Sequence, residues 1–213
     1  GAARGVSCGS KLRQIGLAAQ MYVHDVKMWP IYRNPTDPNG WKVYWCAAMK
    51  DGETPDCTRG VISAYMDTRE MQSCPAWTQE TSSAKPGLGY GYNWMTLGYP
   101  PMWAYMLPSW CPGWTYDSPA QDGDLRRPAE TIGFADSAIR DRTDPTLIVE
   151  TVATAPTSQD HGYPSMHFRH SGKANIVFCD GHVSSMGPAP GTEDPNHALL
   201  AHPCTDDSLY DRE

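Results

Sequence analysis

Five side chains able to ligate metals or move protons crowd one stretch near the end of the chain: His161, His167, His170, Asp180 and His182. A hydrolytic zinc site needs imidazoles and a carboxylate around an open position, and His167, His170 and Asp180 supply those types. Their spacing argues against it. Two imidazoles three residues apart on a strand or loop face one way less reliably than the four-residue pair of a helical zinc motif. The structural reading is that His170 and Asp180 flank one hairpin, where imidazole or backbone N–H donors satisfy a buried carboxylate. Asp136, in Phe134-Ala135-Asp136-Ser137, joins that network.

Other catalytic patterns are missing from the sequence. There is no Gly-x-Ser-x-Gly elbow, and Gly87-Leu88-Gly89-Tyr90-Gly91 has the glycines of a phosphate loop without its order. It reads as a turn between aromatic anchors. The seven cysteines, Cys8, Cys46, Cys57, Cys74, Cys111, Cys179 and Cys204, include no pair with the two-residue gap of zinc ribbons. Disulfides formed in an oxidising compartment account for them better than metal. An odd count leaves at least one thiol free or paired between chains, and each bridge adds roughly 2–4 kcal/mol.

The elements that must position these groups follow from periodicity and turn chemistry. Residues 2 to 28 read as one helix with Val6, Leu12, Ile15, Ala18 or Ala19, Tyr22 and Val26 on one face. Gly5, Gly9 and Gly16 weaken it, and with no N-cap signal it reads as the lower half of a longer helix. Residues 29–213 then form one head domain. Trp41 to Met49 fits helix or strand equally. Strand composition marks Thr131–Ala135, Thr146–Glu150, Ala174–Cys179 and His182–Met186, and Asp180-Gly181 between the last two is a strong hairpin signal. A single helical turn is expected at His197–Ala201. With 19 Gly, 19 Pro, 8 Trp and 11 Tyr against 3 Phe, the stretch from Asp51 to Gly123 reads as short strands between packed loops. The rings between Trp94 and Tyr116 serve as core, as a subunit contact or as a sugar-stacking face.

Charge narrows the partners. Lys and Arg number 17 against 24 Asp and Glu, giving a net charge of −7 with no basic stripe, so nucleic acid is excluded as a partner. No stretch approaches the roughly 18–20 apolar residues that span a bilayer.

Several segments together resemble bacterial pilin-like proteins of the type II secretion pseudopilin kind, the prepilin-type processing-associated family. One is His170-SGKANIVFC-Asp180-Gly181, within FRHSGKANIVFCDGHV (168–183); another is CGSKLRQIGLAAQMYVHD (8–25). Weaker supports are Gln72-Ser73-Cys74-Pro75, Tyr90-Gly91-Tyr92-Asn93 and the run from Arg127 to Ser137. The resemblance implies an α+β pilin-like fold, with a long N-terminal helix packed on a small antiparallel sheet with long disulfide-braced loops. It implies no enzyme, but a structural subunit of an extracellular, cell-surface or periplasmic filament, a homopolymer of identical subunits. Membrane contact would come only through an apolar segment ahead of residue 1. Pseudopilins as a class often bind calcium, and the resemblance points to Asp117, Asp122 and Asp124, with Asn34, Asp37 and Asn39 as a second loop. His170, Asp180, Gly181 and Asp136 would be the structural signature. Two readings of other classes stand beside it: a secreted metal-dependent hydrolase using His167, His170 and Asp180, and a carbohydrate-binding module using the Trp/Tyr stretch.

Overall fold

The opening segment is rich in helix formers and contains no run of β-branched residues. The computed structural model describes residues 2–67, 74–77, 89–101, 118–141, 143–156 and 164–212, and shows this segment as helix α1, Ala2–Val26. The helix stops at Lys27, whose φ of 65° lies in the left-handed region and whose N–H donates to Val23 O at 2.8 Å.

The buried face of α1 comprises Cys8, Leu12, Ile15, Ala18, Ala19 and Val23. This corrects the expected face at both ends, since Val6 is 74% exposed and Val26 40% exposed. The upper anchor is Cys8, tied to Cys74, and residue 6 sits about 200° around the helix from residue 8.

The helix packs on a five-stranded sheet of order β10-β9-β4-β3-β7, built from β3 (Tyr90–Asn93), β4 (Ile132–Asp136), β7 (Ala153–Thr154), β9 (Ala174–Phe178) and β10 (Val183–Met186). Neighbours run antiparallel except β3 and β7, which are parallel. The Asp180-Gly181 turn joins β9 to β10 as the sequence predicts, with Val183 opposite Val177 and Gly181 at φ 91°. Strand β9 is buried on both faces, which is why it reads as a mostly apolar run interrupted only by Asn175. Val177 and Cys179 belong to the core under α1, while Ala174, Ile176 and Phe178 join Met166, Phe168 and Tyr210 on the far side.

Small two-stranded units surround the sheet: β1 (Lys42–Val43) with β2 (Ala48–Met49), β5 (Ile139–Arg140) with β6 (Ile148–Val149), and β8 (Met166–His167) with β11 (Leu200–Ala201). The ambiguous Trp41–Met49 stretch is thus a hairpin. The helical turn expected at His197–Ala201 is not formed, because Leu200 and Ala201 pair with His167 and Met166 and satisfy the backbone of β8.

Aromatic rings fill the core that a Phe-poor chain would otherwise lack. Trp45 packs 5.0 Å from Phe134 and Tyr92 stacks on Phe134 at 4.8 Å, centroid to centroid. Their polar ends are satisfied, by Trp45 Nε1 donating to Val152 O at 2.7 Å and Tyr92 Oη donating to Pro30 O at 2.9 Å. Trp94 and Tyr99 stack at 5.6 Å, with Tyr99 buried, so these two rings are core; the rings of residues 102–117 lie outside the described residues.

Among the described residues, cross-linking is sparser than expected. Cys8–Cys74 is a disulfide, whereas Cys46 and Cys179 are buried thiols and Cys57 a half-buried one. Burial in apolar surroundings pushes all three thiols up, which keeps them protonated and inert. Cys111 lies outside the described residues.

Candidate functional site

Where β4 ends beneath the helix, the chain buries a carboxylate. Asp136 is 0% exposed, so every lone pair it leaves unmatched costs free energy. Its Oδ2 accepts from Asn175 N at 2.7 Å and from His170 Nε2 at 3.0 Å; its Oδ1 accepts from an Arg169 terminal nitrogen at 3.2 Å. Arg169 and His170 reach it from a tight turn in which Ser171 and Gly172 take φ of 56° and 77°, closed by His170 N donating to Lys173 O at 2.9 Å.

Arg169 ties several segments together. It donates to Gly89 O, to Ser137 O at 3.3 Å and to His167 Nδ1 at 3.2 Å, and its guanidinium lies 5.3 Å from the centre of the Trp77 ring. Because a guanidinium only donates, His167 Nδ1 must accept, which puts the imidazole proton on Nε2, an atom buried without a partner. Burial first, then the neighbouring Arg169, push His167 down to about 3, so its imidazole is neutral.

Glu150 completes the cluster. It is 1% exposed, neither carboxylate oxygen has a hydrogen bond, and burial, partly offset by Arg169, pushes it up to about 7. The Tyr90 hydroxyl, also buried and unpartnered, is shifted upward by burial and then by Asp136. Gly89 sits against both charges at φ 62°; a Cβ there would lie 2.8 Å from Glu150 Oε1 and 3.1 Å from an Arg169 nitrogen. The arrangement is a desolvated Asp–Arg–His anchor with an uncompensated carboxyl beside it. It fixes the helix, two strands and two loops to one another.

The signature residues separate into two places. His170 and Asp136 meet, as anticipated, but Asp180 does not share their network. It lies at the opposite end of β9, where Asp180 Oδ1 accepts from His182 N at 3.0 Å and from His182 Nδ1 at 2.7 Å, and His182 stacks on Phe178 at 4.4 Å. The reason is the length of β9, which holds the two ends apart. Each end touches α1: a Cβ on Gly5 would be 3.6 Å from His170, and a Cβ on Gly181 would be 3.0 Å from Gln20, which donates to Cys179 O at 3.0 Å.

The hydrolase trio is not assembled. His167 is held by Arg169 and His170 by Asp136, Asp180 sits at the far turn, and His161 lies outside the described residues. Among the described residues, the one converging group of potential metal ligands is Cys8, Cys74 and His170. The acidic loops are likewise engaged. Asp124 Oδ2 accepts from Gln121 N at 2.7 Å, Asp122 lies 3.7 Å from Lys27 Nζ, and Asp117 is outside the described residues. Asp37 accepts from Asn39 N and Trp41 N and pairs with Arg59 at 3.8 Å.

Arg169, Glu150 and Trp77 were not anticipated as members of the cluster. A charged residue closing an apolar strand, as Glu150 does after Ile148 and Val149, was the available signal.

Comparison with known proteins adds one match. No curated protein matches the chain, and neither does any solved structure. Over residues 1–71, which include α1 and the β1–β2 hairpin but neither His170 nor Asp180, the chain is similar to a family described as a protein of unknown function, DUF1559.

Proposed function

We propose that this chain is a structural subunit of a pilin-like filament that polymerises through the face of α1 its own sheet leaves uncovered. The observation that carries this reading is on the helix itself. Opposite the buried face, Val6 is 74% exposed, Leu17 46% and Met21 54%, and with Ser10, Arg13 and His24 they fall at helical spacing on one stripe. Three exposed apolar side chains on the side away from the sheet leave the helix room for a second partner, and the sheet supplies only the first. Exposed Arg13 on the outer stripe, in a chain of net charge −7, finds complementary charge on a second copy. The family match over the helix is compatible with this role. Head-to-tail contacts that do not close give open filaments, the symmetry that a fibre outside the cytoplasm requires.

Negative-stain microscopy and light scattering over a concentration series test the reading. Filaments or a concentration-dependent oligomer should appear and be lost in Leu17→Glu/Met21→Glu. A chain that stays monomeric at every concentration, with or without an added apolar segment ahead of residue 1, overturns it.

A further inference from the structure

The Cys8–Cys74 bond and His170 have no part in the assembly stripe, yet they place three soft donors together. Both sulfurs and a His170 ring nitrogen lie within 4.8 Å of one another, and His170 Nε2 is 3.7 Å from Cys74 Sγ. A zinc ion bound tetrahedrally to sulfur at about 2.3 Å and imidazole at about 2.05 Å holds those two donors about 3.6 Å apart. That S···N edge already has the required length. On the same imidazole nitrogen, at 3.0 Å, lies Asp136 Oδ2, an oxygen donor for a fourth position.

We propose that, when the Cys8–Cys74 bond is reduced, Cys8, Cys74 and His170 bind one zinc-class divalent ion with Asp136 as fourth ligand. The disulfide and the metal centre are then alternative states of the same side chains. A dithiol or phosphine supplies the two electrons, the S–S bond breaks, and two protons from solvent give two thiols. Metal binding releases both thiol protons, and the imidazole proton moves from Nε2 to Nδ1 to free the ligating lone pair.

Charge favours the site. Two thiolates and a carboxylate bring three negative charges, balanced by the ion's two positive charges and by Arg169, so the ligand set together with its guanidinium is neutral. The outer shell is in place, since Asn175 N and Arg169 already orient Asp136. Cys8 is 0% exposed, Cys74 1% and the His170 side chain 7%, which suits a closed structural site better than a catalytic one.

The test uses the whole chain, reduced by a phosphine in denaturant and refolded without oxygen, with cobalt(II) as the probe. One equivalent should bind, with a thiolate-to-cobalt charge-transfer band, the visible bands of a tetrahedral site and the far-ultraviolet helix signal of the oxidised protein. Cys8→Ser and His170→Ala should each weaken binding by at least about tenfold. The proposal is overturned by a missing band, by a band unchanged in both variants, by equal binding to the oxidised protein, or by binding without recovery of the helix signal. A band that persists in both variants would place the metal on cysteines other than Cys8 and Cys74 instead.

Discussion

At the scale of single residues, the buried Asp136–Arg169 pair is more valuable for what its loss exposes than for its net attraction. Asp136→Ala leaves a guanidinium 3% exposed without its ion-pair partner and should cost about 3–5 kcal/mol, measured by urea unfolding. Glu150 and His167 make the cluster sensitive to pH in opposite directions. Glu150 is raised from 4.5 to about 7 in the fold, so its contribution is full below pH 4.5 and is lost as pH rises toward 7. His167 is lowered from 6.5 to about 3, so its contribution is full above pH 6.5 and is lost as pH falls toward 3. Between pH 4.5 and 6.5 the two slopes oppose. Relative to the parent chain, Glu150→Gln should make stability climb more steeply with pH over that window and His167→Asn should make it decline, both read from denaturant midpoints at fixed ionic strength. Little of this cluster was legible beforehand. His170 and Asp136 were visible as a buried donor and carboxylate, but the role of Arg169 depends on Gly89, Ser137 and Trp77 coming together from distant segments, which no local pattern encodes.

At the scale of elements, local signals served best where local chemistry decides the outcome. The helix, the Asp180-Gly181 hairpin and the strands β4, β6, β9 and β10 were readable, because period and turn residues fix them without distant help, whereas the two-residue strands β5, β7, β8 and β11 were not. The face of the helix was misread at both ends, since its upper boundary is set by a covalent partner 66 residues away. The glycines were also underestimated. Gly16 counts as a weak helix residue in isolation, but a Cβ there would lie 2.8 Å from Val177 Cγ2, so its absence lets α1 settle onto β9. Gly16→Ala gains about 1 kcal/mol in helix propensity. Overpacking against Val177 should cost about 1–3 kcal/mol, so the net change is a loss of up to about 2 kcal/mol. Val177→Ala introduced into Gly16→Ala should then cost less than Val177→Ala alone, a coupling that a double-mutant cycle measures.

At the scale of the whole molecule, stability and assembly should separate cleanly. Leu17 and Met21 are exposed in the single chain, so Leu17→Glu/Met21→Glu should shift unfolding by no more than about 0.5 kcal/mol per site while removing the oligomer. Replacing both Cys8 and Cys74 by Ala has the reverse profile. Opening a 66-residue loop should cost about 4 kcal/mol, yet the outer stripe is untouched and the refolded chain should still associate.

The two contacts of β9 with α1, at Gly5 and at Gln20, make the nine-residue gap between His170 and Asp180 a measured length. One residue inserted between them cannot be absorbed quietly. Slipping the strand by one position turns Val177 and its alternate neighbours away from the helix and presents the opposite set. Bulging it instead pulls one clasp off its mate, either the imidazole from Asp136 or the glycine turn from Gln20. The interval works as a gauge block cut to the helix, and sequences sharing this architecture should tolerate change in the letters between the two marks far better than change in their number.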